Sequence, residues 1–110
     1  MVCRNEKNKA SSCLYIKNFD INKPRWEAEV IFLYARVIKL GGKNIFDIGT
    51  NYGVHSTKIA ALLKEKHCPN KALDCSKYAS LHCFEPDAFT LKEAKMNIHL
   101  NCLQDIVQLH

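Results

Sequence analysis

Glycine and proline are scarce, with four Gly and three Pro in 110 residues. Such a composition excludes a collagen-like repeat and a Pro/Gly-rich low-complexity chain. Long apolar runs are missing as well, and none approaches the roughly 20 residues that a membrane-spanning helix needs. The first dozen residues include Arg4, Glu6, Lys7 and Lys9 and lack the apolar stretch of a secretory signal. Runs of Lys or Arg are absent, so there is no clear nucleic-acid signal. No Cys-x2-Cys pair occurs, and this argues against a structural metal site even though His67, Cys68, Cys75, His82 and Cys83 lie close together in sequence.

What remains is the composition of an ordinary globular domain, 47% hydrophobic and 25% charged. One domain is the expectation at this length, soluble and cytoplasmic. On that view the six cysteines (Cys3, Cys13, Cys68, Cys75, Cys83 and Cys102) are reduced thiols acting as small hydrophobes. The net charge of +5 is unevenly spread: residues 1–43 hold nine Lys/Arg against four Asp/Glu, and residues 44–110 hold seven of each. A weakly basic N-terminal third can attract anionic partners at long range, but without a polybasic run a solvated lysine-rich surface is the favoured reading.

Residues 1–23 read as a polar arm and residues 24–110 as the domain. Pro24 suits the first turn of a helix, and Trp26, Val30, Leu33, Tyr34 and Val37 then fall on one apolar stripe at helical period. Gly41-Gly42 ends that helix. Asn44–Ile48 is a short apolar run bounded by glycines, which predicts a buried strand. From Val54 to Lys66 the period becomes helical, with Ile59, Leu62 and Leu63 on one face. Residues 67–80 read as a connecting loop, and Leu81–Phe84 as a second strand. Asp87, or Thr90 with Glu93, caps a further helix whose core face is Ala88, Leu91, Ala94 and Ile98. Ile106–Leu109 gives a third strand. Alternation of this kind predicts an α/β domain with a parallel sheet and right-handed crossovers.

The chemistry-bearing segment is Asp47-Ile48-Gly49-Thr50-Asn51-Tyr52-Gly53, between the first strand and its helix. In such sheets ligands bind at the carboxyl ends of the strands. Glycines there allow sharp turns and close backbone approach. The Gly-x3-Gly spacing is neither the Gly-x-Gly-x2-Gly of a dinucleotide fold nor a P-loop. Ser56-Thr57 stand where a nicotinamide-binding loop would place its third glycine. Glu85 ends the second strand, the position from which an acidic residue holds ribose hydroxyls in related folds. Its two oxygens match a vicinal diol. The 32 residues from Gly53 to Glu85 exceed the usual gap of about 20, and an insertion at residues 67–80 accounts for the excess.

Phe46-Asp47-Ile48-Gly49-Thr50-Asn51-Tyr52-Gly53-Val54-His55-Ser56 resembles the first motif of S-adenosylmethionine-dependent methyltransferases, in the Asp-Ile-Gly-Ala-Asn-x-Gly form of the FkbM family. Phe84-Glu85-Pro86-Asp87, the helix after it, and Asn97-Ile98-His99-Leu100-Asn101 resemble that family's second motif and its Asn-Ile-x-Leu-Asn segment. The similarity spans roughly residues 27–110, with Thr50 in place of the more usual alanine. The resemblance implies a Rossmann-like methyltransferase sheet. It further implies that Asp47, Gly49, Asn51 and Gly53 surround the methionine part of S-adenosylmethionine, that Glu85 holds the ribose and that Asp87 lies near the adenine. His55 either opens the helix beside the cofactor or packs on the loop. Trp26 and Glu29 read as a core residue and a surface residue.

Three strands are fewer than that family's sheet contains. The expectation is therefore a truncated, cofactor-binding N-terminal half of an O-methyltransferase acting on a small molecule or carbohydrate, with no catalytic base to name. The alternative is an inactive paralogue acting as a binding module. An incomplete sheet also predicts self-association through an exposed edge.

Overall fold

Strands form where β-branched and aromatic side chains cluster, at β1 (Asn44–Ile48), β2 (Ser80–Phe84) and β3 (Val107–Leu109). The computed structural model describes residues 27–110. The arm at 1–23 and the helix start expected at Pro24 and Trp26 lie outside the described residues. The helices are α1 (Ala28–Lys39), α2 (Val54–His67) and α3 (Ala88–Leu100). All three strands are parallel in the order β1-β2-β3, with Ile45 beside Leu81, Asp47 beside Cys83 and Leu81 beside Val107. Parallel neighbours need crossover connections, and α2 and α3 supply them. This is the α/β arrangement expected from the alternating pattern.

The core lies between the sheet and these two helices. Ile59 and Leu63 of α2, Ile98 of α3, Leu81 of β2 and the loop residues Leu103 and Ile106 are fully buried there. Strand alternation puts Ile45, Asp47, Leu81 and Cys83 on the covered side. The opposite side is an aromatic row. Phe46 meets His82 and Phe84 edge-on, with ring centroids 5.2 and 5.7 Å apart, and His110 lies beside both His82 and Phe84. Phe46 is 62% exposed and Ile48 74% exposed.

Helix α1 departs from the expected packing. It contacts the core through Tyr34 and Ile38, while Val30, Leu33 and Val37 of the anticipated stripe are exposed. The helix has one broad apolar face, wider than the strip that meets the core, so the period alone does not say which part of it is buried. Its end is a Schellman cap: the Gly41 N–H donates to Ile38 O at 3.0 Å and the Gly42 N–H to Val37 O at 2.9 Å, with Gly41 at φ 108°. At α3 the cap is Asp87, which accepts from the Thr90 N–H at 2.8 Å and the Thr90 hydroxyl at 2.5 Å. Ala88, expected in the core, is exposed at the first turn.

The reading of the cysteines as free thiols is overturned. Cys68 and Cys75 form a disulfide with their Cα atoms 5.4 Å apart, pinching the loop between α2 and β2. Cys102 is also disulfide-bonded; Cys83 remains a free, buried thiol. Disulfides persist in oxidising compartments, so reduced thiols no longer support a cytoplasmic setting. Asp105 secures the same loop by accepting from Lys64 Nζ at 2.9 Å and from the Cys75 N–H at 3.0 Å. Among the described residues no helix is long and apolar enough to cross a membrane, and no three His, Cys, Asp or Glu side chains converge as metal ligands.

Candidate functional site

The chain leaves β1 by turning over the end of β2. The N–H groups of Gly49 and Thr50 both donate to Phe84 O, at 2.8 and 3.1 Å. Three residues of this turn are left-handed: Gly49 at φ 79°, Asn51 at φ 55° and Gly53 at φ 84°. Glycine and, less readily, asparagine adopt that region without the steric cost other residues bear. At Gly53 a Cβ would sit 3.4 Å from both Cα and Cβ of Ala94 on α3, at the near edge of ordinary van der Waals contact. At the motif's second glycine the left-handed backbone, more than the space, calls for glycine. Gly49 differs: nothing lies within 4 Å of where its Cβ would be, so a ligand can approach the backbone closely.

The loop is held from beneath. Ser56 on α2 donates its hydroxyl to Asp47 Oδ2 at 2.5 Å, and both residues are buried. Thr50 Oγ1 donates to Asp47 O at 3.1 Å, and Thr57 Oγ1 to Gly53 O at 2.6 Å. From α3, buried Asn97 donates its side-chain N–H to Tyr52 O at 2.8 Å. The loop motif by itself does not single out Ser56, Thr57 and Asn97 as supports of the site. Their signal is polarity at helix positions flanked by core residues, since buried polar groups persist only where they are bonded.

Glu85 joins the two halves of the site. Its Oε1 accepts from the Asn51 N–H at 2.9 Å and its Oε2 from the Asp87 N–H at 3.0 Å. The first bond reaches across to the β1 loop and the second to the start of α3. A carboxylate has about four acceptor positions, so each oxygen keeps capacity for one further donor. Asp87 is exposed, and the Thr90 hydroxyl and N–H hold its carboxyl below the usual aspartate range. His55 opens α2 and its Nε2 pairs with the carboxylate of Glu27, the left-handed residue before α1. Glu27 therefore belongs to the surroundings of the loop, which the sequence did not indicate.

The structure brings Gly49, Asn51, Glu85 and Asp87 together at the carboxyl ends of β1 and β2. Asp47 and Gly53 lie behind them as supports, and His55 is tied to the base of α1. Cys83 is fully buried beneath these residues. Burial pushes its thiol up, Ser56 and Thr50 partly oppose this by hydrogen bonding, and the charge of Asp47 adds to it. Burial, and then the charge of Asp47, likewise raises the Tyr34 phenol.

This arrangement suits a ligand with a vicinal diol and an extended polar chain: fixed carboxylate oxygens for the diol and an open glycine backbone beside them. The fold is that of the Rossmann-like methyltransferases. A candidate O-methyltransferase from Klebsiella pneumoniae superposes with a TM-score of 0.58 and 22% identity, over 98% of this chain and 40% of that one. A candidate caffeoyl-CoA O-methyltransferase from Staphylococcus aureus gives 0.58 and 21%, over 86% and 44%. The chain thus spans less than half the length of the structures it matches. No family profile and no curated protein matches it.

Proposed function

We propose that this chain is the cofactor-binding part of an S-adenosylmethionine-dependent O-methyltransferase of the FkbM type, with a small molecule or carbohydrate as acceptor. One observation carries the reading: the Glu85 carboxylate, fixed by one N–H from each motif, stands beside the open backbone of Gly49. In this reading Glu85 accepts the two ribose hydroxyls through its remaining lone pairs. Gly49 and Asn51 border the methionine part, over Asp47 and Gly53. Asp87, whose carboxyl also caps α3, lies at the adenine side. Bound S-adenosylmethionine supplies an electrophilic methyl group, and these residues bind and orient it. His55 and Glu27 position the start of α2. The open edge of β1, with Phe46 and Ile48 beside it, is the surface through which this part joins further strands or another copy.

Calorimetric titration with S-adenosylhomocysteine tests the reading. Binding is expected, and Glu85→Ala should weaken it at least about tenfold, the scale of one lost charged hydrogen-bond pair. Absence of binding at about 1 mM ligand, a threshold of roughly 4 kcal/mol in affinity, contradicts the cofactor reading. Binding with no transfer to any small-molecule or carbohydrate acceptor favours the binding-module alternative.

A further inference from the structure

A second surface lies away from the strand-end loops, along the outer edge of β3. There a groove of about 450 Å³ runs between α3 and β3. Its floor is Leu91, Ile98, Val107 and Leu109, and its rim carries Lys92 and Lys95. Among the described residues no carboxylate lines it.

Among the described residues the outward backbone beside this groove has no partner. Ile106 O accepts from the Leu81 N–H at 2.9 Å, the His110 N–H donates to Cys83 O at 2.8 Å, and the Glu85 N–H donates to His110 O at 3.1 Å. These bonds all run from even-numbered residues of this segment toward β2. By the two-residue period of a strand, the N–H and C=O groups of Val107 and Leu109 point outward along the groove. Such an edge is a template for another strand.

We propose that this groove binds an extended acidic peptide as an added strand. Its backbone pairs with Val107 and Leu109, its apolar side chains rest on Leu91 and Ile98, and its carboxylates face Lys92 and Lys95. Charge selects this occupant. Pairing of β3 with β3 of a second copy sets two lysine rims side by side, an unfavourable like-charge contact. Residues 1–26 hold six Lys/Arg against two Asp/Glu, the same sign as the rim.

The test uses fluorescence anisotropy with a labelled peptide of Val-Thr-Glu-Thr repeats, about eight residues long to match a typical strand, which sets valine and glutamate on the same face. Its counterpart with lysine in place of glutamate and a version N-methylated at alternate residues serve as controls. Binding of the acidic peptide alone is expected, with the Val107 and Leu109 amides becoming protected from hydrogen exchange. The double variant K92E/K95E, at two exposed positions, should weaken binding at least about tenfold. Several results overturn the proposal: no binding of the acidic peptide, undiminished binding of the N-methylated peptide or to the reversed-charge variant, equal binding of the lysine peptide, or unchanged exchange at Val107 and Leu109. Protection of these amides that grows with protein concentration, without peptide, also overturns it and assigns the edge to self-association.

Discussion

The two faces of the sheet are made by the same strands and behave as different materials. On one, Ile45, Leu81 and Cys83 close against α2 and α3, and the helices return the apolar contact from Ile59, Leu63 and Ile98. On the other, Phe46, His82, Phe84 and His110 touch mainly one another, and Phe46 and Ile48 are largely open to solvent. The candidate site sits where both faces end, but its supports come from the covered side alone: Ser56 and Thr57 from α2, Ala94 and Asn97 from α3. Parallel sheets are ordinarily covered on both sides. The open face is therefore the one whose energetics depend on a further layer.

The largest effect expected from this contrast is on stability. Leu81→Ala, on the covered face, should cost about 2–5 kcal/mol, whereas Phe46→Ala, on the open face, should cost less than about 1 kcal/mol. Urea unfolding of the two variants measures the difference, and equal costs would mean that a partner covers the aromatic row. Next comes the loop that returns the chain from α2 to the sheet. Replacing Cys68 and Cys75 together by serine should lower stability by about 2–3 kcal/mol on the chain-entropy view of a short closed loop. An unchanged urea midpoint removes the disulfide from the account of how the covered side is fastened. The smallest effect concerns the start of α3. The folded-state carboxyl of Asp87 titrates below its ordinary range. Its contribution is therefore fully present above the unfolded aspartate value and fades as the pH falls through the folded one. Asp87→Asn should accordingly be less stable than the parent at neutral pH, and the gap should narrow at acid pH. A gap that widens on acidification contradicts that assignment.

Much of the covered face was legible in the sequence. The stripe of Ile59, Leu62 and Leu63 and the pair Ala94 and Ile98 each follow one period that a single buried face explains, whereas the run Asn44–Ile48, expected to be buried, is covered on one face only and leaves Phe46 and Ile48 exposed. Asp87 as a cap was legible too, because only a few side chains satisfy the free N–H groups of a helix start. Helix α1 was not, since its apolar face is broader than the strip at Tyr34 and Ile38 that meets the core, and only packing against α2 chooses within it. The cysteine pairing was hidden as well, because two thiols seven residues apart meet only if the loop doubles back. Of the site, Gly49, Gly53 and Glu85 could be picked out by position alone. Ser56, Asn97 and Glu27 could not, because their bonds depend on how neighbouring helices are set against the loop.

Amide chemical-shift mapping with S-adenosylhomocysteine bears most directly on the assignment of the strand ends as a cofactor site. The account predicts perturbations centred on the amides of Gly49, Asn51 and Asp87, absent in Glu85→Ala, with the α3–β3 groove unaffected. No perturbation, or one centred on the aromatic face or the groove, would contradict it.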